Sequence, residues 1–162
     1  MELYISNFNI KKSLINFCTN RGGDNIRPNI IFSRINNCNN YAIIMEDPLA
    51  YGGEGNVVHW YVPCMKIKNN KIIKYIEGYN NTIQPSRRWV GPCPPAGSGW
   101  HNYKWIIYAL EKEFVPNNYD LYINSSSDFE IILKNNNIKI LDKTTKSFKI
   151  YIEDNFYEKF NN

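Results

Sequence analysis

Trp89-Val-Gly-Pro-Cys-Pro-Pro-Ala-Gly-Ser-Gly-Trp-His-Asn-Tyr-Lys-Trp-Ile-Ile-Tyr-Ala-Leu110 joins two kinds of chain in one stretch. The first half cannot run through a helix or a central strand. Pro92, Pro94 and Pro95 lack a backbone N–H and fix φ, and Gly91, Gly97 and Gly99 open conformations that other residues avoid. This half reads as a stiff loop. In the second half Tyr103, Trp105, Ile107 and Ala109 share one parity, and Lys104, Ile106, Tyr108 and Leu110 share the other, which is the period of a strand. His101 stands where loop becomes strand, in register with Tyr103. A rigid loop that delivers a histidine to a strand end is a common way to build a site.

Outward from this stretch, the chain has 162 residues, which suits a single domain spanning residues 1–162 with a real core. A hydrophobic content of 43% rules out a disordered chain. The 15% aromatic content, with abundant Ile, favours strands, so an all-β sandwich is expected. The net charge is +4, but only Lys11-Lys12 and Arg87-Arg88 are paired, so no nucleic-acid stripe is indicated. No run from Met1 to Cys18 is apolar enough for a signal peptide, and none elsewhere for a membrane span, so stable membrane insertion is not expected. Cys18, Cys38, Cys64 and Cys93 form no Cys-x-x-Cys pair; they read as reduced thiols in a cytoplasmic protein. Two histidines without ligand spacing argue against a metal, and no motif calls for a cofactor.

In chain order, Ser13 to Phe17 reads as a short strand and Arg21 to Asp24 as a turn. Ile30-Ile31-Phe32 is the next strand, and an Asn-rich turn ends near Asn40. Tyr41 to Met45 is a continuous apolar run, short enough for a buried strand, and it delivers Glu46-Asp47-Pro48. Asp before Pro is by itself a good turn starter. Val57 to Val62 alternates, with His59 on one face beside Val57 and Tyr61, and Val58, Trp60 and Val62 on the other. Ile72 to Ile76 is a further strand. Ser127-x-x-Glu130 reads as a capping box opening a short helix to about Lys134. Ser147 to Ile152 alternates as a last strand, and Asn155 to Phe160 suits a terminal turn of helix. The Asn, Ile and Lys usage suggests an AT-rich coding genome.

Gly91-Pro92-Cys93-Pro94-Pro95-x-Gly97 followed by Gly99-x-His101-x-Tyr103 resembles the signature of the phosphatidylethanolamine-binding protein family, which includes the Raf kinase inhibitor proteins. Asp47-Pro48 matches the first two positions of the family's Asp-Pro-Asp, and His59-Trp60 matches its His-Trp. Asp24-Asn25-Ile26-Arg27-Pro28 is similar to its Asp-x-Ser-Pro segment, with Arg27 where Ser is usual. Glu77 to Asn81 resembles the family's Gly-x-Asn segment. The likeness runs in family order from about Asp24 to Ile152, and the genome hint suits a viral or protozoan member. It implies a mainly β sandwich of two antiparallel sheets with one or two short peripheral helices. It also implies a ligand pocket at one end, formed by Asp47, Pro48, His59, Cys93, Pro94, Pro95, Gly99, His101 and Tyr103.

The implied ligand is a small anion: phosphate, phosphoethanolamine or a phospholipid headgroup. Two imidazoles and loop amides near Gly97 and Gly99 would donate hydrogen bonds to it, while Asp47 would accept a proton from an imidazole, a phosphate or an amine. Regulation of a kinase or protease partner is compatible with such a binding module. The alternative is a hydrolase using the Asp/His cluster or a Cys93–His pair. No Gly-x-Ser-x-Gly elbow is present, and no Ser stands in a recognisable nucleophile context, so a non-enzymatic role is the expectation. Leu49 and Asn102 depart from the family's second acid and its Arg, and are expected close together at the pocket rim.

Overall fold

A computed structural model describes residues 1–6, 25–82, 88–156 and 158. Five antiparallel strands form one sheet in the order β5-β4-β3-β6-β7, and β1 and β2 pair as a smaller antiparallel sheet. The elements are β1 (Leu3–Ser6), β2 (Asn29–Phe32), β3 (Asn40–Asp47), β4 (Val57–Lys68), β5 (Lys71–Ile76), β6 (Gly99–Leu110), α1 (Ser126–Asn135) and β7 (Ile140–Ile152). The two-sheet, mainly β architecture is therefore as expected. The expected strand at Ser13–Phe17, the turn at Arg21–Asp24 and the end of the segment Asn155–Phe160 lie outside the described residues. β1 had no sequence signal strong enough to place it, and β7 begins seven residues before the expected Ser147.

The alternation read in β6 divides the core. Tyr103, Trp105, Ile107 and Ala109 face one cluster with Tyr41, Ile43, Met45 and Trp60, onto which Leu3, Ile5, Ile30 and Phe32 of the small sheet pack. Ile106, Tyr108 and Leu110 face the other, with Ala42, Ile44, Tyr61 and the helix residues Phe129 and Leu133. β3 lies at the centre, buried on both faces, which is why Tyr41 to Met45 is a continuous apolar run. Arg27, which stands where the family usually has Ser, lies 4.3 Å over the Trp60 ring and pairs with Glu77 at 3.2 Å.

The helix is capped differently from the sequence expectation. Ser125 is the N-cap, its hydroxyl accepting from the Asp128 N–H at 3.2 Å, so Ser127 lies inside the first turn. Glu46 fixes the same end: its carboxylate accepts the Ser126 N–H and Oγ–H, both at 2.8 Å. The asparagine runs also serve the backbone. Asn69 and Asn70, both at positive φ, form the two-residue turn between β4 and β5 where Lys68 pairs with Lys71, and Asn137 takes a positive φ just past the helix. Asparagine is among the few residues that enter that region readily.

The reduced state expected for all four cysteines fails at Cys93. Cys38 and Cys64 are free and buried, but Cys93 is disulfide-bonded. The cytoplasmic expectation went with that reading, and a disulfide at Cys93 weighs against it. Among the described residues no helix is long and apolar enough to cross a membrane.

Candidate functional site

A β-bulge aims the first histidine. Met45 of β3 pairs with Trp60 of β4, but the next residue, Glu46, pairs with Val58, so His59 is the extra residue on β4. The simple alternation placing His59 beside Tyr61 is therefore corrected. The bulge breaks the parity, and His59 turns to the face that carries Val57, Trp60 and Tyr103, its ring 5.7 Å from the Tyr103 ring. Asn81 braces the start of this strand, its Oδ1 accepting the Val58 N–H at 2.6 Å.

The second histidine enters from β6. His101 Nδ1 lies 2.5 Å from Asp47 Oδ2, and the other carboxylate oxygen of Asp47 accepts the backbone N–H of Asn102 at 3.0 Å and of Leu49 at 3.1 Å. Burial works to raise the Asp47 carboxyl, but the bonds from His101 and the two amides outweigh it and hold the carboxyl below its usual range. The far side of His101 meets Ser98, with Nε2 to Oγ at 2.8 Å, and Ser98 gives its hydroxyl proton to Pro95 O at 2.6 Å. The Tyr103 ring stacks 6.0 Å from the His101 ring. Sequence reasoning missed Ser98, although it sits three residues before His101 in the quoted stretch.

These side chains line a cavity of about 210 Å³. Of the expected site residues, Asp47, His59, Cys93, Pro94, Pro95, His101 and Tyr103 line it. Pro48 and Gly99 do not; Gly99 instead supplies a φ of 79° where the loop enters β6. Further walls come from Ala50, Tyr51, Thr82, Val90 and Ser98, and among the described residues no Lys or Arg lines the cavity. Leu49 and Asn102 lie close together, as expected, meeting through their backbone amides on Asp47 Oδ1, but they line no part of the cavity. A larger cleft of about 870 Å³ lies over Trp60, Trp89 and Arg34, with no acid or imidazole among the described residues of its walls.

Hydrogen-bond polarity differs from the donor-rich pocket expected. The Gly97 N–H goes to Glu153 O and the Ser98 N–H to Pro95 O, both at 3.1 Å, so those amides are committed within the protein. His59 Nδ1 lies 2.8 Å from the Val90 carbonyl, which can only accept, so the ring proton sits on Nδ1 and Nε2 carries a lone pair. Burial pulls the His59 pKa down to about 4, against the Val90 carbonyl and Asp47, which favour the charged ring. Cys93, being in a disulfide, offers no thiolate, which ends the Cys–His nucleophile reading. Among the described residues no cluster could hold a metal ion.

Known proteins match most of this chain. The family model described as phosphatidylethanolamine-binding protein matches residues 5–154. A protein bearing the lipoprotein name LppC from Mycobacterium tuberculosis is 29% identical over 92 residues, which cover 54% of this chain and 45% of LppC. The chain thus spans about half the length of that curated relative. A UPF0098 protein from Aquifex aeolicus is 27% identical over 122 residues, 70% of each chain. Among solved structures, Escherichia coli YbcL superposes with a TM-score of 0.64 at 20% identity, covering 94% of this chain and 97% of its own. The Chlamydia trachomatis homologue CT736 superposes with a TM-score of 0.61 at 19% identity, covering 91% and 95%. At that identity the superpositions speak for the fold, and the family model speaks for descent: the chain belongs to the phosphatidylethanolamine-binding protein family.

Proposed function

We propose that the protein binds a small phosphate-bearing ligand (free phosphate, phosphoethanolamine or a phospholipid headgroup) in the cavity between His59 and His101, without chemical turnover. One observation carries this reading: the chain's only two histidines and the buried Asp47 converge on one small cavity under the Pro94-Pro95 loop. About 210 Å³ is below the range usual for drug-sized ligands, which suits a headgroup or a free ion. His101 Nε2 can turn its hydrogen bond from Ser98 to a ligand oxygen. Regulation of a kinase or protease would then act through the ligated rim. The Cys93 disulfide favours an oxidising compartment. Crystals soaked in phosphate should show density between His59 and His101; an unchanged cavity at saturating phosphate would refute the reading.

One observation favours a second reading, hydrolysis. Ser98 Oγ, His101 Nε2, His101 Nδ1 and Asp47 Oδ2 form a continuous relay, with contacts of 2.8 and 2.5 Å. That is the order of nucleophile, base and orienting acid found in serine hydrolases. Against it, the Ser98 proton is directed at Pro95 O and away from the base. Labelling of Ser98 by a fluorophosphonate, abolished in His101→Ala, would favour this reading over the binder.

A further inference from the structure

We infer that the pocket selects ligands by a hydrogen-bond donor they carry, because His59 meets them as an acceptor; this rests on the phosphate-site reading above. The Val90 carbonyl fixes the His59 proton on Nδ1, and among the described residues Nε2 has no partner. His101 differs. Its Nδ1 holds a proton against the Asp47 carboxylate, and its Nε2 faces a hydroxyl, which can rotate to donate to Nε2 when the ring carries one proton and to accept from it when the ring carries two. His59 faces a carbonyl and has no such freedom. Among the described residues the ionisable groups around His59 are Asp47, His101, Tyr103 and Tyr51, with no Lys or Arg lining the cavity to hold a second negative charge.

A fully ionised phosphate would set an oxygen lone pair against the Nε2 lone pair, in a site where burial disfavours charging the ring. A phosphomonoester monoanion avoids the clash, because its remaining P–OH can donate to Nε2. A phosphodiester headgroup lacks that proton and can serve only if it brings another donor, such as an ammonium. The chemistry common to both sources is therefore an anionic phosphate with an O–H or N–H donor within reach of His59.

Calorimetry with three probes tests this. Ethyl phosphate and dimethyl phosphate are isomers with the same single charge at about pH 5.5, since a monoester loses its second proton near pH 6. Only the first carries a P–OH; glycerophosphoethanolamine, the third, is a diester with an ammonium. Ethyl phosphate should bind about tenfold or more tightly than dimethyl phosphate at about pH 5.5, and should weaken by about pH 8 as it becomes a dianion. Glycerophosphoethanolamine binding as well as ethyl phosphate would assign the donor to either source, and binding more weakly would assign it to P–OH. In His59→Phe, which removes the acceptor, the preference between the two isomers should vanish. Equal affinity of the isomers for the wild-type protein would overturn the inference and leave the phosphate site standing. No binding of any probe would overturn both.

Discussion

His59 concentrates the energetic consequences of the site. Its folded pKa, about 4, lies below the ordinary value of 6.5, so the unfolded chain holds more protons between those values. Stability linked to His59 is complete above pH 6.5 and is lost as pH falls towards 4, by roughly 3 kcal/mol in all. Asp47 adds a separate loss at lower pH, because its depressed carboxyl contributes stability that disappears as pH falls through the folded value. Urea midpoints in phosphate-free buffer should therefore fall from pH 6.5 to 4, and His59→Phe should flatten the curve across that window. An unchanged slope in the variant would mean that another group carries the effect. His101 has a similar double role. Removing an exposed histidine would cost within ~0.5 kcal/mol. The structure buries His101 on Asp47, so His101→Ala leaves a buried carboxylate without its partner and should cost about 3 kcal/mol or more. Thermal melts within a degree or two of wild type would contradict the buried pair.

Strands were legible where one rule governed them. β6 kept its alternation from end to end, and β3 showed its burial as an unbroken apolar run. β4 did not, because the bulge at His59 adds a residue that changes parity, and no residue type announces a bulge. A second irregularity, between the pairs Tyr41–Met65 and Ile43–Val62, falls where β4 contains Pro63, which cannot donate to a ladder. The helix shows the same limit on a smaller scale. Ser125, Ser126 and Ser127 are adjacent, and the side chains alone could not say which one caps. Tertiary contact decides: Glu46 takes Ser126, which leaves Ser125 to cap. Ser125→Ala should cost about 1 kcal/mol, in line with other N-cap losses, and Ser127→Ala should stay within about 0.5. Chemical denaturation of the two variants checks this, and the reverse order would restore the capping box at Ser127.

At the scale of the whole molecule, the fold brings residues from three distant segments to one cavity. Asp47 ends β3, His59 bulges from β4, and His101 opens β6 behind the Pro-rich loop. Which residues would gather was legible, because each motif stands at a strand end and strand ends collect at one edge of a sheet. Their polarity was not. Whether an imidazole donates or accepts depends on the Val90 carbonyl and the Ser98 hydroxyl, and neither contact has a sequence signature. The redox state of Cys93 was hidden in the same way, since a disulfide depends on spatial approach and not on spacing along the chain. The central claim is that both histidines meet one phosphate ligand. Long-range ¹H–¹⁵N spectra of the imidazole nitrogens test it most directly, because the chain has only two histidines to assign. The free protein should show His59 as the Nδ1–H tautomer, and ethyl phosphate at about pH 5.5 should shift His59 Nε2 and His101 Nε2 together with one saturating affinity. Two imidazoles whose nitrogens stay unmoved at saturating ligand would contradict the account.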